Sequence, residues 1–204
     1  MNVKEHTIKD IITESLIKSM SYPAYRKLVS VVVAEGKSTG DKQSEALSNY
    51  SMLNDKRMKR LDKTTRLTES HIEAIKLYDE EVTWLVLTES WCGDAAQTMP
   101  MMNKIAELND KIDFKVVLRD DNPELMSEFL TNGNLSIPKL IAFHPETKEV
   151  KGTFGPRPSI AIQMVAAYKK EHGALDPEFK RDLQVWYNKD KGQNTAEDLV
   201  ALLK

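Results

Sequence analysis

Cys92 is the single cysteine in 204 residues, and it sits in Trp91-Cys92-Gly93-Asp94-Ala95, where an apolar run gives way to a helical pattern. A sulfur at a strand-to-helix junction faces the unsatisfied N–H groups and positive dipole end of the helix, which favour thiolate over thiol. Cys92 is therefore the candidate catalytic residue. Three residues on, where a dithiol centre carries its second sulfur, the chain has Ala95, so no disulfide closes within this sequence. Asp94 opposes the helix terminus, because a carboxylate beside a thiol raises its pKa.

A solitary sulfur still has a complete cycle open to it. Attack on a protein disulfide or a small disulfide gives a mixed disulfide, and a low-molecular-weight thiol or a second protein releases it. Peroxide instead gives a sulfenic acid that a small thiol caps. Arg119, just after a second apolar strand, falls at the carboxyl edge of the sheet where α/β proteins gather function. Arg57 lies inside the apolar stripe of a helix, Ala46, Leu47, Tyr50, Leu53, Met58 and Leu61, where pairing with Asp62 or Glu45 or snorkelling is the simpler expectation than aiming at a groove.

Around these residues the chain changes texture near residue 80. Before it, apolar residues recur at helical spacing in four segments, and nothing reads as a strand. Thr68 suits the N-cap of the fourth. From 82 onward, apolar runs alternate with helices: strands over 82–88, 112–118, 139–143 and 150–154, helices over about 94–108 and 123–130. The four residues Pro145 to Lys148 suit a hairpin between the last two strands. Helices follow over 158–171 and 176–188, then a last one capped by Thr195. The order β-α-β-α-β-β-α predicts an α/β fold, a mixed four-stranded sheet with helices on both faces. Three parts are expected: a helical extension over 1–80, an α/β domain over 81–171 and a helical segment over 172–204.

Residues 80–171 resemble the thioredoxin family in several features that occur in order. Trp91-Cys92-Gly93 stands at the strand-to-helix turn and Pro100 follows eight residues after the sulfur. Asp120, Asn122 and Pro123 follow the next strand, and Ile137-Pro138 precedes the antiparallel pair. The length and helical front also resemble a group of bacterial thioredoxin-like proteins. The resemblance implies a thioredoxin fold with Trp91, Gly93, Asp94 and Ala95 as the active-site motif around the sulfur, a cis-proline at Pro138, and a substrate groove at Ile137 and Pro138 with Trp91 on its rim. It places Arg157 in the loop bordering that groove and Lys139 directly after the cis-proline. Arg119, Asp120, Lys139, Arg157 and Arg57 are thus candidates for tuning the sulfur's charge or holding a ligand. Two departures agree with each other: the family's buried aspartate and lysine, which serve the second thiol, align with Val86 and Val116. A buried ionisable pair without a thiol to serve is a desolvation cost.

Composition narrows the rest. Formal charge is −2 and the pI about 6.1, so no global field draws the chain to nucleic acid or acidic lipid. The basic cluster from Lys56 to Arg66 lacks interleaved aromatics and reads as a solvated helix face. His6, His71, His144 and His172 are scattered, so no metal or other cofactor is expected. The polar start Met1–Glu5 lacks the apolar core of a signal peptide, no run has the length of a membrane span, and a cytoplasmic location is the default. Three function classes remain: a monothiol thiol-disulfide oxidoreductase, a non-catalytic module binding extended peptides in the same groove, and a dimeric cluster carrier with one Cys92 from each subunit. A homodimer is also compatible with the helical front.

Overall fold

A computed structural model describes residues 6–204; the segment 1–5, read above for a signal peptide, lies outside the described residues. The strands β1 (Met20–Ser21), β2 (Val82–Thr88), β3 (Ile112–Leu118), β4 (Lys139–Phe143) and β5 (Val150–Phe154) form one sheet in the order β1-β3-β2-β4-β5. Its centre is β2, buried at every position. It lies parallel to β3 and antiparallel to β4, and β4 in turn pairs antiparallel with β5. A strand covered on both faces has no need of alternation, which is why 82–88 reads as a continuous apolar run. Val86 and Val116 are direct partners in the β2–β3 register, and both are fully buried. The two positions expected to have lost an ionisable pair are thus neighbours in the dry centre of the sheet.

The fifth strand corrects the expectation of a wholly helical front. Met20 and Ser21 form β1, antiparallel to β3 opposite Val116 and Lys115. Two residues are too few to show any period, so sequence pattern cannot mark them. The front is otherwise α1 (Ile8–Ile17), α2 (Tyr22–Ala34), α3 (Glu45–Thr64) and α4 (Glu69–Leu77). Each opens on a hydroxyl cap: Thr7, Ser21, Ser44 and Thr68 accept from the third residue on.

Helix α5 (Gly93–Ala106) follows β2, carries Pro100 inside it and buries Met99, Met101 and Met102. After β3 and β5 come α6 (Pro123–Glu128) and α7 (Ser159–His172), then α8 (Pro177–Asp190) and α9 (Gln193–Ala201). Thr195 does not cap the last helix as expected; it lies buried within it, and Gly192 at φ 81° makes the turn. The apolar core around the sheet takes in Ile12 and Tyr25 from the front and Leu199 from the end. A smaller cluster, Ala161, Val165, Phe179, Leu183 and Tyr187, joins α7 to α8.

Helix α3 turns a different face inward from the one its apolar spacing suggests. Its buried residues are Ser51, Asn54 and Met58, while Tyr50 is 55% and Leu53 51% exposed. Polar side chains point inward there because they satisfy backbone beneath them, at the turn before Cys92.

Candidate active site

Cys92 is itself the N-cap of α5. Its sulfur accepts from the Ala95 N–H at 3.4 Å and donates to the Ile137 carbonyl at 3.2 Å. The Ile137–Pro138 peptide is cis, and both residues are buried. Gly155, at φ 117°, closes the far side: a Cβ there runs into the Pro138 carbonyl, so this position requires glycine. Cys92 is only 7% exposed. Burial pushes its thiol up to about 12, with the Asp94 charge adding to the rise; the Ala95 and Asp94 N–H groups and Arg157 pull the other way. Desolvation therefore overrides the helix terminus, and at neutral pH the resting sulfur is a thiol, as its donation to Ile137 requires.

Asp94 is held from two sides. Arg157 Nη2 lies 2.7 Å from one carboxylate oxygen, and the Tyr187 hydroxyl donates to the other at 3.2 Å. Burial still raises the Asp94 pKa, opposed chiefly by Arg157. Tyr187 lies on α8, which Gln97 fastens to α5 by donating to Gln184 at 2.9 Å. Arg157 Nε, sealed from solvent, has no hydrogen-bond partner among the described residues.

On the opposite side, the turn leading into Cys92 is locked by the front helices. Ser90 N–H donates to Thr39 Oγ1 at 2.8 Å, and Thr39 N–H donates to Ser90 Oγ at 2.9 Å. Ser51 and Ser90 hydroxyls meet at 2.7 Å, and Asn54 donates to the Ser90 carbonyl at 2.9 Å. Beneath them Glu89, fully buried, accepts from the Thr39 hydroxyl and from the Asp120 N–H at 3.0 Å. Burial raises the Glu89 pKa against those bonds.

The residues singled out from sequence separate into two groups. Trp91, Gly93, Asp94, Arg157 and Arg57 line one groove of about 660 Å³ beside the cysteine. Arg57 Nη1 donates to Asn54 Oδ1 at 2.7 Å and has no carboxylate at ion-pair distance among the described residues. The expected partner Asp62 is taken by Arg26 and Tyr22 instead. Arg119 and Asp120 do not reach the groove: they pair with each other at 2.7 Å, and Arg119 covers the Trp91 ring at 4.8 Å. Lys139 is buried at the start of β4, outside the groove lining, with its ammonium pKa lowered by burial. Of the four cations expected to tune the sulfur, Arg119, Lys139, Arg157 and Arg57, it is Arg157 whose charge acts on Cys92 in favour of the thiolate. Thr39 and Glu89 carry no sequence signal that marks them for this site, and Tyr187, which reads as an anchor of the last helices, carries none for its contact with Asp94.

Exposed His6, Glu14 and Glu124 are the one group among the described residues with metal-ligand spacing, remote from Cys92 in sequence, on α6 and at and before α1. Among the described residues no helix is long and apolar enough to cross a membrane.

Comparison with known proteins agrees with this architecture. A search of curated proteins gives no match. A protein of unknown function from Pseudomonas aeruginosa has a similar structure, with a TM-score of 0.57 at 16% identity over 90% of this chain and 97% of that one. An HIV epitope-scaffold is similar too, at TM-score 0.57 and 14% identity, over 90% and 98% of the two chains. At these identities the likeness concerns the fold alone. The sequence profile named Thioredoxin matches residues 40–169, well over half of the chain and inclusive of β2 to β5, and on that match this protein belongs to the thioredoxin family.

Proposed function

We propose that this protein is a monothiol thiol–disulfide protein, which seats a disulfide partner beside Cys92 and holds it through a slowly exchanging bond. The observation that carries the reading is the position of the sulfur, at the N-cap of α5 and 3.2 Å from the carbonyl that precedes the cis-proline. The step is an exchange: Cys92 loses its proton, its sulfur bonds to one sulfur of the disulfide, the S–S bond breaks, and the released thiolate takes up a proton. An external thiol then attacks the mixed disulfide and returns Cys92 to the thiol. We place the protein in a reducing, cytoplasmic compartment that supplies such a thiol.

A thiol pushed up to about 12 reacts slowly, because only a small fraction is thiolate. It is also a poor leaving group, so a mixed disulfide that forms at Cys92 persists. These properties suit retention of a partner better than rapid turnover. Treatment of the protein with an aromatic disulfide, followed by intact-mass measurement, tests the reading. One adduct is expected on the wild type and none on Cys92→Ser, with formation accelerating as pH rises from 7 to 10. A folded wild type that stays unmodified at pH 10 removes the redox reading.

The same shielding of the sulfur favours a second reading, a non-covalent binding module in which Cys92 is an apolar wall. In that case Cys92→Ser retains every binding property of the wild type, including recovery of the same partners without covalent linkage.

A further inference from the structure

We infer that the groove between α3 and α8 binds a small amphipathic anion, its apolar body against Tyr50, Leu53 and Leu183 and its negative group at Arg57. Its volume of about 660 Å³ lies within the range of small-molecule sites. Four cations line it, Arg57, Arg157, Lys180 and Arg181, against the single carboxylate of Asp94. Asp94 is already engaged by Arg157 and Tyr187, so among the residues that line the groove four cations face one carboxylate, itself ion-paired to one of them.

Arg57 carries the argument. It is half-buried, donates to Asn54, and among the described residues has no acidic partner. Desolvation and the neighbouring Arg60 disfavour its charge, and the through-space pull of Asp94 and Tyr187 offsets this only in part. A guanidinium kept in that setting is stabilised by an anion that brings its own charge and accepts from the free N–H groups. Leu53 and Tyr50, one and two turns before Arg57 on the same helix, stay more than half exposed although they are among the larger apolar side chains of the chain. A stripe that is apolar and then cationic, facing Leu175 and Leu183 across the groove, matches a ligand with an apolar part and one anionic end. Neither a neutral apolar ligand nor a free inorganic anion uses both features.

The inference does not rest on thiol chemistry, and its test keeps the two apart. Two dyes share one aromatic body: 8-anilinonaphthalene-1-sulfonate carries a sulfonate and N-phenyl-1-naphthylamine lacks it. Fluorescence titration of the full chain should show the sulfonate binding about tenfold more tightly than the neutral dye. Arg57→Gln should abolish that preference and Arg57→Lys should retain most of it, while Leu53→Ser should weaken both dyes together. Cys92→Ser should bind both as the wild type does. Equal affinity for the two dyes, or a preference that survives Arg57→Gln, overturns the inference, whatever the reactivity of Cys92.

Discussion

Tyr187 donates its hydroxyl to Asp94 at 3.2 Å, across 93 positions of sequence, and so ties the eighth helix to the second residue after the cysteine. The contact places the charge that most directly opposes thiolate formation under the control of a distant segment.

Removal of that charge should free the sulfur. In Asp94→Asn the carboxylate contribution disappears while the opposing pull of Arg157 remains, so the thiol pKa falls. Alkylation by iodoacetamide at pH 8 is expected to accelerate about tenfold over wild type, equivalent to one pKa unit. An unchanged rate in a folded variant shows that Asp94 has no electrostatic hold on Cys92.

The pH dependence of stability follows from the same sulfur. Its folded pKa lies above the ordinary thiol value of 9.0, so folding favours the protonated form. That stabilisation is complete below pH 9 and declines as pH rises toward about 12. At pH 10.5 the wild type is expected to have lost about 2 kcal/mol more than Cys92→Ser, relative to pH 7, as read by urea unfolding. Parallel losses in the two proteins contradict the burial argument.

Glu89 offers a counterintuitive substitution. Its carboxylate is buried and its pKa raised, yet its bonds come from one hydroxyl and one backbone N–H. Gln keeps an acceptor for the Asp120 N–H and presents an amide to Thr39 Oγ1, whose own hydrogen can turn to Ser90 Oγ at 3.2 Å. Glu89→Gln should therefore be neutral or stabilising by about 1 kcal/mol at pH 7, whereas Thr39→Val, which orphans the Ser90 N–H, should cost about 2 kcal/mol. Thermal unfolding of both variants distinguishes a charge requirement from a hydrogen-bond requirement.

Gly155→Ala puts a methyl into the Pro138 carbonyl at a φ of 117°. A loss of about 2–3 kcal/mol is expected in chemical unfolding, since either the φ or the neighbouring loop has to give way. Gly133→Ala, at φ 75° with open space around it, is the control that measures the backbone effect without the collision.

How far the sequence speaks depends on whether a signal is local. The central strand and the helix opened by Cys92 are legible because each is a short contiguous pattern with its own period, whereas the Ile137-Pro138 turn is legible only through the resemblance to thioredoxins. Arg57 is legible too, as a cation in an apolar stripe, although its exposed neighbours Tyr50 and Leu53 show that the stripe faces a groove and not the core. The inward face of α3 escapes prediction because Ser51 and Asn54 are buried for the sake of one remote backbone turn at Ser90, and such bonds leave no periodic trace. Tyr187 escapes for the same reason, its partner being set by packing of the C-terminal helices. β1 escapes because two residues carry no pattern.

That two-residue strand has an effect out of proportion to its length. By lying along β3 it occupies a border where unpaired backbone groups invite another polypeptide to add on. A protein shortened to begin after Ser21 therefore exposes a ready-made template for self-association while it also gives up Ile11 and Ile12 from the core, so clumping and loss of stability arrive together.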